Sequence, residues 1–485
     1  MSRSALTLPK LLIGPAVFSL CWALLPAAIT FEARVTASTF AWAVAWWIAQ
    51  PIPWGGTALL PLVVLPVCGV METRAVAGLY GQNIFFWILG TVMLGYAMDK
   101  HGLAKRFALR LLSTNFIGAS TGRLAFGYMA VTAVVSMFVS DAASVAMMIP
   151  IGMSVVSYLR QGDGTGEAAR GLAGFFALGA LLASQAGGLA TIAGLPHNAL
   201  AVATLETHTG RSLGWFEWMK VGLPMSLLVL VCFYSLLRAF LRPGSVPISG
   251  GVGYLEAQVK GLGRMSRAEK SVLGAFLGML ALFTFPAFLK LALGASHPTV
   301  RAVDTSLPIW VVPPLILITL FLLPSNRRGE ATLTWRDVAE KAPWNILLLC
   351  TGAVAMTDAL AEFGMMDFIK AQLGLLGLGP VTLPYAAALI VGVATNFVSG
   401  LAATSLFCNV FIPMAQTSGF NPASMAMLVP NNGLGIVFPW AGAAAGTAFA
   451  TGYVDLRQMI RIGAAATVVA ALLTASVHLL FAPIL

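Results

Sequence analysis

Charge is what this chain has least of. Only 9% of its 485 residues are Asp, Glu, Lys or Arg, against about a quarter in a soluble globular domain. With 58% hydrophobic residues, a water-soluble fold is excluded. Cysteine is also sparse. The five present, Cys21, Cys68, Cys232, Cys350 and Cys408, show no motif spacing. That excludes a disulfide framework or a thiolate metal site and leaves them as small core residues. The five histidines do not cluster in the sequence, so no metal centre or other cofactor is indicated. The apolar runs hold no paired acids for a membrane enzyme and no continuous polar stripe for a channel pore. A net charge of +10 reflects loops facing anionic lipid and requires no nucleic acid.

What is abundant is apolar sequence in runs of about 20 residues, enough to span a bilayer. Such runs lie near 10–30, 37–51, 54–70, 83–98, 171–203, 219–240, 271–293, 305–323, 344–362, 423–452 and 461–484. They predict an all-α polytopic membrane protein with about eleven transmembrane helices. Residues 121–159 and 381–417 are each long enough for two half-crossings and are interrupted by polar residues, which predicts two re-entrant hairpins. Non-helical tips at membrane depth are tolerable only inside protein or beside a water-filled cavity. With a cytoplasmic N-terminus, most of the 28 Lys and Arg residues fall in inner loops, as the positive-inside rule requires. Arg3 and Lys10 before the first run imitate a signal peptide, but the run is long for one and the topology needs it. The predicted layout is an N-terminal span at 1–36, a first repeat at 37–240, a cytoplasmic linker at 241–270 and a second repeat at 271–485. Residues 101–113 and 333–341 are amphipathic enough to lie along the interface.

The two halves resemble each other. Ser136-Met137-Phe138-Val139-Ser140 is echoed by Thr395-Asn396-Phe397-Val398-Ser399. Asn83-Ile84, Gly90 and Gly102 return at the same spacing as Asn345-Ile346, Gly352 and Gly364, and Ala193-Gly194 returns as Ala441-Gly442. Order is preserved throughout, so internal duplication is the better reading, and two polar kinks suggest two half-sites meeting in a secondary transporter.

Hydroxyls four residues apart share a helix face. At a broken helix end, Ser136 with Ser140 and Thr395 with Ser399 offer the oxygen ligands a hard cation takes, although such hydroxyls also bond their own i−4 carbonyls. Asp141 is the stronger signal, because a carboxylate at membrane depth costs about 2.5–3.5 kcal/mol and marks function. It would ligate a cation or carry a coupling proton. His197, after Pro196, is open to three readings: an anion contact, a proton carrier or a hydrogen-bonded filler. Asp358 and Glu362, one turn apart at a helix end, read as solvated caps.

Further motifs carry a family resemblance. Trp47-Ile48-Ala49-Gln50-Pro51-Ile52-Pro53 leads into Thr57-Ala58-Leu59-Leu60-Pro61, and Leu89-Gly90-Thr91-Val92-Met93-Leu94-Gly95-Tyr96-Ala97-Met98 precedes His101-Gly102-Leu103-Ala104-Lys105-Arg106. Gly187-Gly188-Leu189-Ala190-Thr191 then precedes Gly194-Leu195-Pro196-His197-Asn198. Over nearly its whole length the chain resembles the divalent anion/sodium symporter family, which includes sodium–dicarboxylate cotransporters. The resemblance implies an inverted repeat, a scaffold domain and an elevator-like transport domain, a homodimer, and a small anionic substrate carried with sodium or a proton in a bacterial inner membrane.

The family's tips carry Ser-Asn-Thr; here they read Ser140-Asp141-Ala142 and Ser399-Gly400-Leu401. The family's Pro-Pro-Asn is Pro196-His197-Asn198, and its counterpart is Ala443-Ala444-Ala445. Anchoring on Pro413 would place Ala403-Thr404-Ser405 at the second tip, but the Phe-Val-Ser match favours Ser399. Carried over by position, the cation ligands are Ser136, Ser140, Asp141 and Gly194, with Thr395, Val398 and Gly400. The substrate residues are Ser140, Asp141, Ala142, Pro196, His197, Asn198, Ser399, Gly400, Leu401 and Gly442. Loss of both Thr residues makes a monoanion, or an anion with an apolar part, plausible beside the dicarboxylate. An ion antiporter or exchanger and sulfonate uptake are the alternatives.

Overall fold

The computed structural model describes residues 8–81, 83–113, 121–161, 166–241, 251–294, 297–308, 310–326, 329–365, 368, 377–398, 400–439 and 441–484. Among them helices are the only regular elements beyond one isolated bridge, Pro324 to Ala331. The chain opens with α1 Leu8–Leu24, α2 Phe31–Ala49, α3 Trp54–Thr57, α4 Leu60–Val67, α5 Thr73–Leu79, α6 Asn83–Lys100 and α7 Leu103–Leu112. Then come α8 Thr121–Ser136, α9 Asp141–Gln161, α10 Gly166–Gly188, α11 Pro196–Thr209, α12 Trp215–Leu241 and α13 Gly251–Gly261. The second half has α14 Arg267–Leu293, α15 Pro298–Ser306, α16 Val312–Leu322, α17 Trp335–Lys341 and α18 Trp344–Glu362. It ends with α19 Thr382–Ala394, α20 Gly400–Ser418, α21 Pro422–Asn431, α22 Ala443–Ala450 and α23 Leu456–Phe481.

Six stretches among the described residues are long and apolar enough to cross a membrane: Thr73–Lys100, Gly171–Gly188, Trp215–Leu241, Arg267–Pro286, Trp344–Glu362 and Leu456–Phe481. Several predicted spans are broken instead. The run 54–70 divides into α3 and α4, and 305–323 yields only the 11-residue α16 after a gap. Pro61, Pro308 and Pro313 lack the N–H that a continuous helix needs there. The boundary at 36 falls inside α2, whose start is set by Thr30 accepting from the Ala33 N–H. Linker residues 241–270 include a helix, α13, and the first turn of α14. The interfacial segments 101–113 and 333–341 contain the short helices α7 and α17.

The duplicated glycines perform duplicated tasks. A Cβ on Gly90 would lie 2.4 Å from the Pro313 carbonyl carbon, and one on Gly352 would lie 2.6 Å from the Ala58 oxygen. Each half therefore presses a helix against a short helix of the other. Gly102 and Gly364 both adopt the left-handed conformation, with φ of 76° and 74°, where a side chain is strained.

Both broken helix pairs are braced in the same pattern. α10 packs on α8 and α9, and α21 packs on α19 and α20. The half-helices then cross over, with α11 against α20 and α22 against α9. At the end carrying α7, the buried Arg106 binds Glu269 through Nε at 2.6 Å and Nη2 at 3.1 Å, and donates to the Gly263 carbonyl at 2.8 Å. Asp337 caps α17 and accepts from Lys100 at 2.8 Å. Partial burial would raise its pKa, but hydrogen bonds from Lys100 and Thr334 outweigh this and hold it at about 2.

Candidate functional site

The first break is a four-residue turn. α8 stops at Ser136, and α9 starts at Asp141 with Ser140 as its cap, the Ser140 hydroxyl accepting from the Ala143 N–H at 3.4 Å. Asp141 thus sits in the first helical turn, where free amides and the helix dipole favour a negative charge. It is half-buried, and Gln185 of α10 donates to its Oδ2 at 2.8 Å. The turn is tied to the unwound stretch between α10 and α11 by Thr191, whose hydroxyl donates to the Met137 carbonyl at 2.5 Å. Asn198 in turn donates to the carbonyls of Gly188 and Thr191, each at 2.9 Å.

Three side-chain oxygens in this assembly are buried without a hydrogen-bond partner: Ser136 Oγ, Gln185 Oε1 and Asn198 Oδ1. Their residues are 0%, 3% and 0% exposed. An unsatisfied buried acceptor costs about 1–3 kcal/mol, and of the three residues it is Gln185 that reaches Asp141, through its amide nitrogen. Ser136 does not bond its i−4 carbonyl, so the bland expectation for it fails. Beside this cluster a cavity of about 180 Å³ is lined by Ser140, Gly194 and Pro196, by Thr91, Tyr96 and Asp99 of α6, and by Lys341 of α17. Ala142 is half-buried beside it in the first turn of α9.

The second break is differently furnished. Ser399 lies outside the described residues; α19 ends at Ala394 and α20 resumes at Gly400. The interruption therefore falls at the Phe-Val-Ser motif, and Ala403-Thr404-Ser405 belongs to α20. The Thr395 hydroxyl reaches the carbonyls of Gly392 at 3.2 Å and Asn432 at 3.3 Å. Asn396 is fully used: its amide donates to Gly392 at 2.6 Å, and its oxygen accepts from the Ile436 and Val437 N–H groups at 3.0 and 2.8 Å. It clamps the unwound stretch after α21 to the hairpin. Val398 faces a smaller cavity of about 100 Å³, lined only by apolar residues including Trp47, Ala402 and Phe407. Leu401 is 8% exposed and packs in the hydrophobic core, whereas Gly442, the N-cap of α22, is exposed.

The halves meet at His197. Its ring lies against Gly400 and Gly433 of the second half, within 3.3 Å of where either Cβ would stand. Asp358, expected as a solvated cap, is half-buried and accepts from Thr207 at 3.0 Å. His478 joins a buried network with Asn431 at 3.1 Å and Ser424 at 3.3 Å. No group of three or more potential metal-ligating His, Cys, Asp or Glu occurs among the described residues. Sequence reasoning missed Gln185 and Asn396. The signal was there, since a lone amide in an apolar run needs partners at membrane depth.

Comparison with known proteins identifies the family. Residues 7–485 match the family model for the sodium:sulfate symporter transmembrane region. The sodium-dependent dicarboxylate transporter SdcS of Staphylococcus saprophyticus is 28% identical over 465 residues, covering 93% of this chain and 87% of that protein. SdcS of Staphylococcus aureus is 27% identical over 469 residues, covering 95% and 88%. Among solved structures, the Alcanivorax borkumensis YdaH transporter superposes with a TM-score of 0.57 at 14% identity, covering 94% of this chain and 99% of that one, which is a likeness of fold. The apolar helices and the family match make this an integral membrane transport protein with no enzymatic role, and the chain belongs to the sodium:sulfate symporter family.

Proposed function

We propose that this chain is a sodium-coupled secondary transporter of a small carboxylate. The observation that carries the reading is the half-buried Asp141 carboxylate, held by Gln185 in the first turn of a broken helix, with unpartnered buried oxygens on Ser136, Gln185 and Asn198 in the same assembly. A sodium ion there would take oxygen ligands and offset the charge of an anion bound beside it. Ser136, Ser140, Asp141 and Gly194 would form the main cation site, and Thr395, Val398 and Gly400 a weaker one. The anion would be held by Ser140, Asp141, Ala142, Pro196, His197 and Asn198 of the first half and by Ser399, Gly400, Leu401 and Gly442 of the second, with His197 packed against Gly400. The SdcS relatives, named as sodium-dependent dicarboxylate transporters, support sodium as the ion and a carboxylate as the cargo.

The architecture we infer is an inverted repeat of 37–240 and 271–485 around the linker 241–270, preceded by the span 1–36, with about eleven crossings and hairpins at 121–159 and 381–417. The paired glycine contacts and the crossed packing of α11 and α22 support it. Both hairpins, braced by these half-helices, would move as a transport domain past a scaffold, with two copies joined through their scaffolds. The N-terminus would be cytoplasmic in a bacterial inner membrane.

Uptake of labelled succinate into proteoliposomes tests this reading. Accumulation should require an inward sodium gradient, and equal uptake in choline medium would overturn it. Asp141 favours a second reading, in which a proton replaces sodium; accumulation driven by a pH gradient in sodium-free medium would establish that instead.

A further inference from the structure

His197 is the second residue of α11, is 7% exposed, and has no hydrogen-bond partner at Nε2. The Pro430 carbonyl interacts with the ring, but no bond closes to that nitrogen. Its ring is fitted into the other half of the chain. A Cβ on Gly400 would lie 3.3 Å from Cε1 and 3.4 Å from Nδ1, and one on Gly433 would lie 3.3 Å from Nε2. Gly400 is itself the first residue of α20. The imidazole therefore stands where the N-termini of α11 and α20 meet, and helix N-termini with free amides attract anions. A buried ring nitrogen left bare costs free energy unless a ligand completes it.

We propose that His197 is a substrate-contacting, specificity-determining residue, filling from the first half the space over Gly400 and giving its Nε2–H to one carboxylate oxygen of the bound anion. The inference rests on the carboxylate reading above and deepens it. The second tip offers no side chain of its own at Gly400, so the polar contact there is supplied from the opposite repeat. One neutral donor suits a single compact carboxylate end, and the preference follows from shape as well as charge. A Cβ at position 400 would meet the Gly433 carbonyl oxygen at 2.7 Å before the imidazole at 3.3 Å, so backbone as well as ring excludes a side chain there.

Sodium-driven uptake of labelled succinate and propionate into proteoliposomes, with KM and kcat separated, tests this. His197→Leu keeps the bulk but removes the donor, and should raise KM about tenfold for carboxylates, the worth of one hydrogen bond. The sodium concentration for half-maximal rate should stay within about twofold. His197→Gln restores a donor and should recover most of the loss. Thermal melting in detergent identifies variants that fail to fold, for which the Leu-to-Gln comparison still decides. Wild-type KM in folded His197→Leu overturns the inference while leaving the carboxylate reading intact. Absence of sodium-driven uptake by the wild-type protein overturns both.

Discussion

The two helix breaks share a sequence pattern and differ in chemistry. At the first, Gln185 holds Asp141, buried oxygens on Ser136, Gln185 and Asn198 lack a partner among the described residues, and Ser140 lines a cavity with polar and charged residues on its wall. At the second, Thr395 and Asn396 spend their hydrogen bonds on backbone, and Val398 borders a cavity with only apolar lining. A polar side chain whose bonds are complete holds structure; one left incomplete is available to a ligand. Unpartnered buried oxygens occur in the second half as well, on Thr404, Ser405 and Asn431; the first break differs in carrying a carboxylate, Asp141.

The largest test of that contrast is at Asp141. Asp141→Asn should raise the sodium concentration for half-maximal uptake at least about tenfold, the worth of roughly 1.4 kcal/mol, and Asp141→Ala more. Unchanged sodium dependence would reduce Asp141 to a helix cap. Next in size is a paired comparison of hydroxyls. Ser136→Ala should raise the sodium requirement by about three- to tenfold while leaving the melting temperature unchanged or higher, because deleting an orphan hydroxyl removes a desolvation cost. Thr395→Val should do the reverse, costing about 1 kcal/mol of stability with little effect on sodium. Equal sodium shifts in both variants would erase the asymmetry. Asn396→Ala should act on stability by about 1–3 kcal/mol, since it strands the Ile436 and Val437 N–H groups. Melting of the purified protein in detergent measures this.

The smallest effect lies outside both breaks. The Lys100–Asp337 pair, with side chains 30% and 14% exposed, should contribute about 0.5–1 kcal/mol. Because Asp337 is held at about 2 in the folded chain against about 3.9 unfolded, this stability is present above about pH 4. It is lost as pH falls through 2. Asp337→Asn should therefore lower the melting temperature slightly at neutral pH and make little difference near pH 2.

The sequence foretold both breaks because polar residues at membrane depth stand out against an apolar background, and because the motif occurs twice. The glycine pairs were legible for the same reason. What was not legible is how each polar group is satisfied. Nothing in local spacing distinguishes Ser136, left bare, from Thr395, which reaches Asn432 across 37 residues. Gln185 and Asp141 are 44 residues apart, and only the packing of α10 on α9 joins them. The predicted spans erred where proline divides an apolar run, since hydropathy measures burial and is blind to a missing N–H. That Gly400 lies against the Gly433 carbonyl and the His197 ring emerges only from the packing of the two halves.

The exchange of contacts between Gly90 and Pro313, and between Gly352 and Ala58, also bears on how the chain is made. The first half leaves the ribosome before Pro313 has been synthesised, so the face of α6 around Gly90 stays uncovered until more than two hundred further residues have followed. Neither half can complete its own packing, and a gene cut within the linker should yield two fragments that are degraded when expressed singly and persist when expressed together. Maturation of the nascent protein thus waits on its second half, and the membrane insertion machinery must hold the first open until its counterpart arrives.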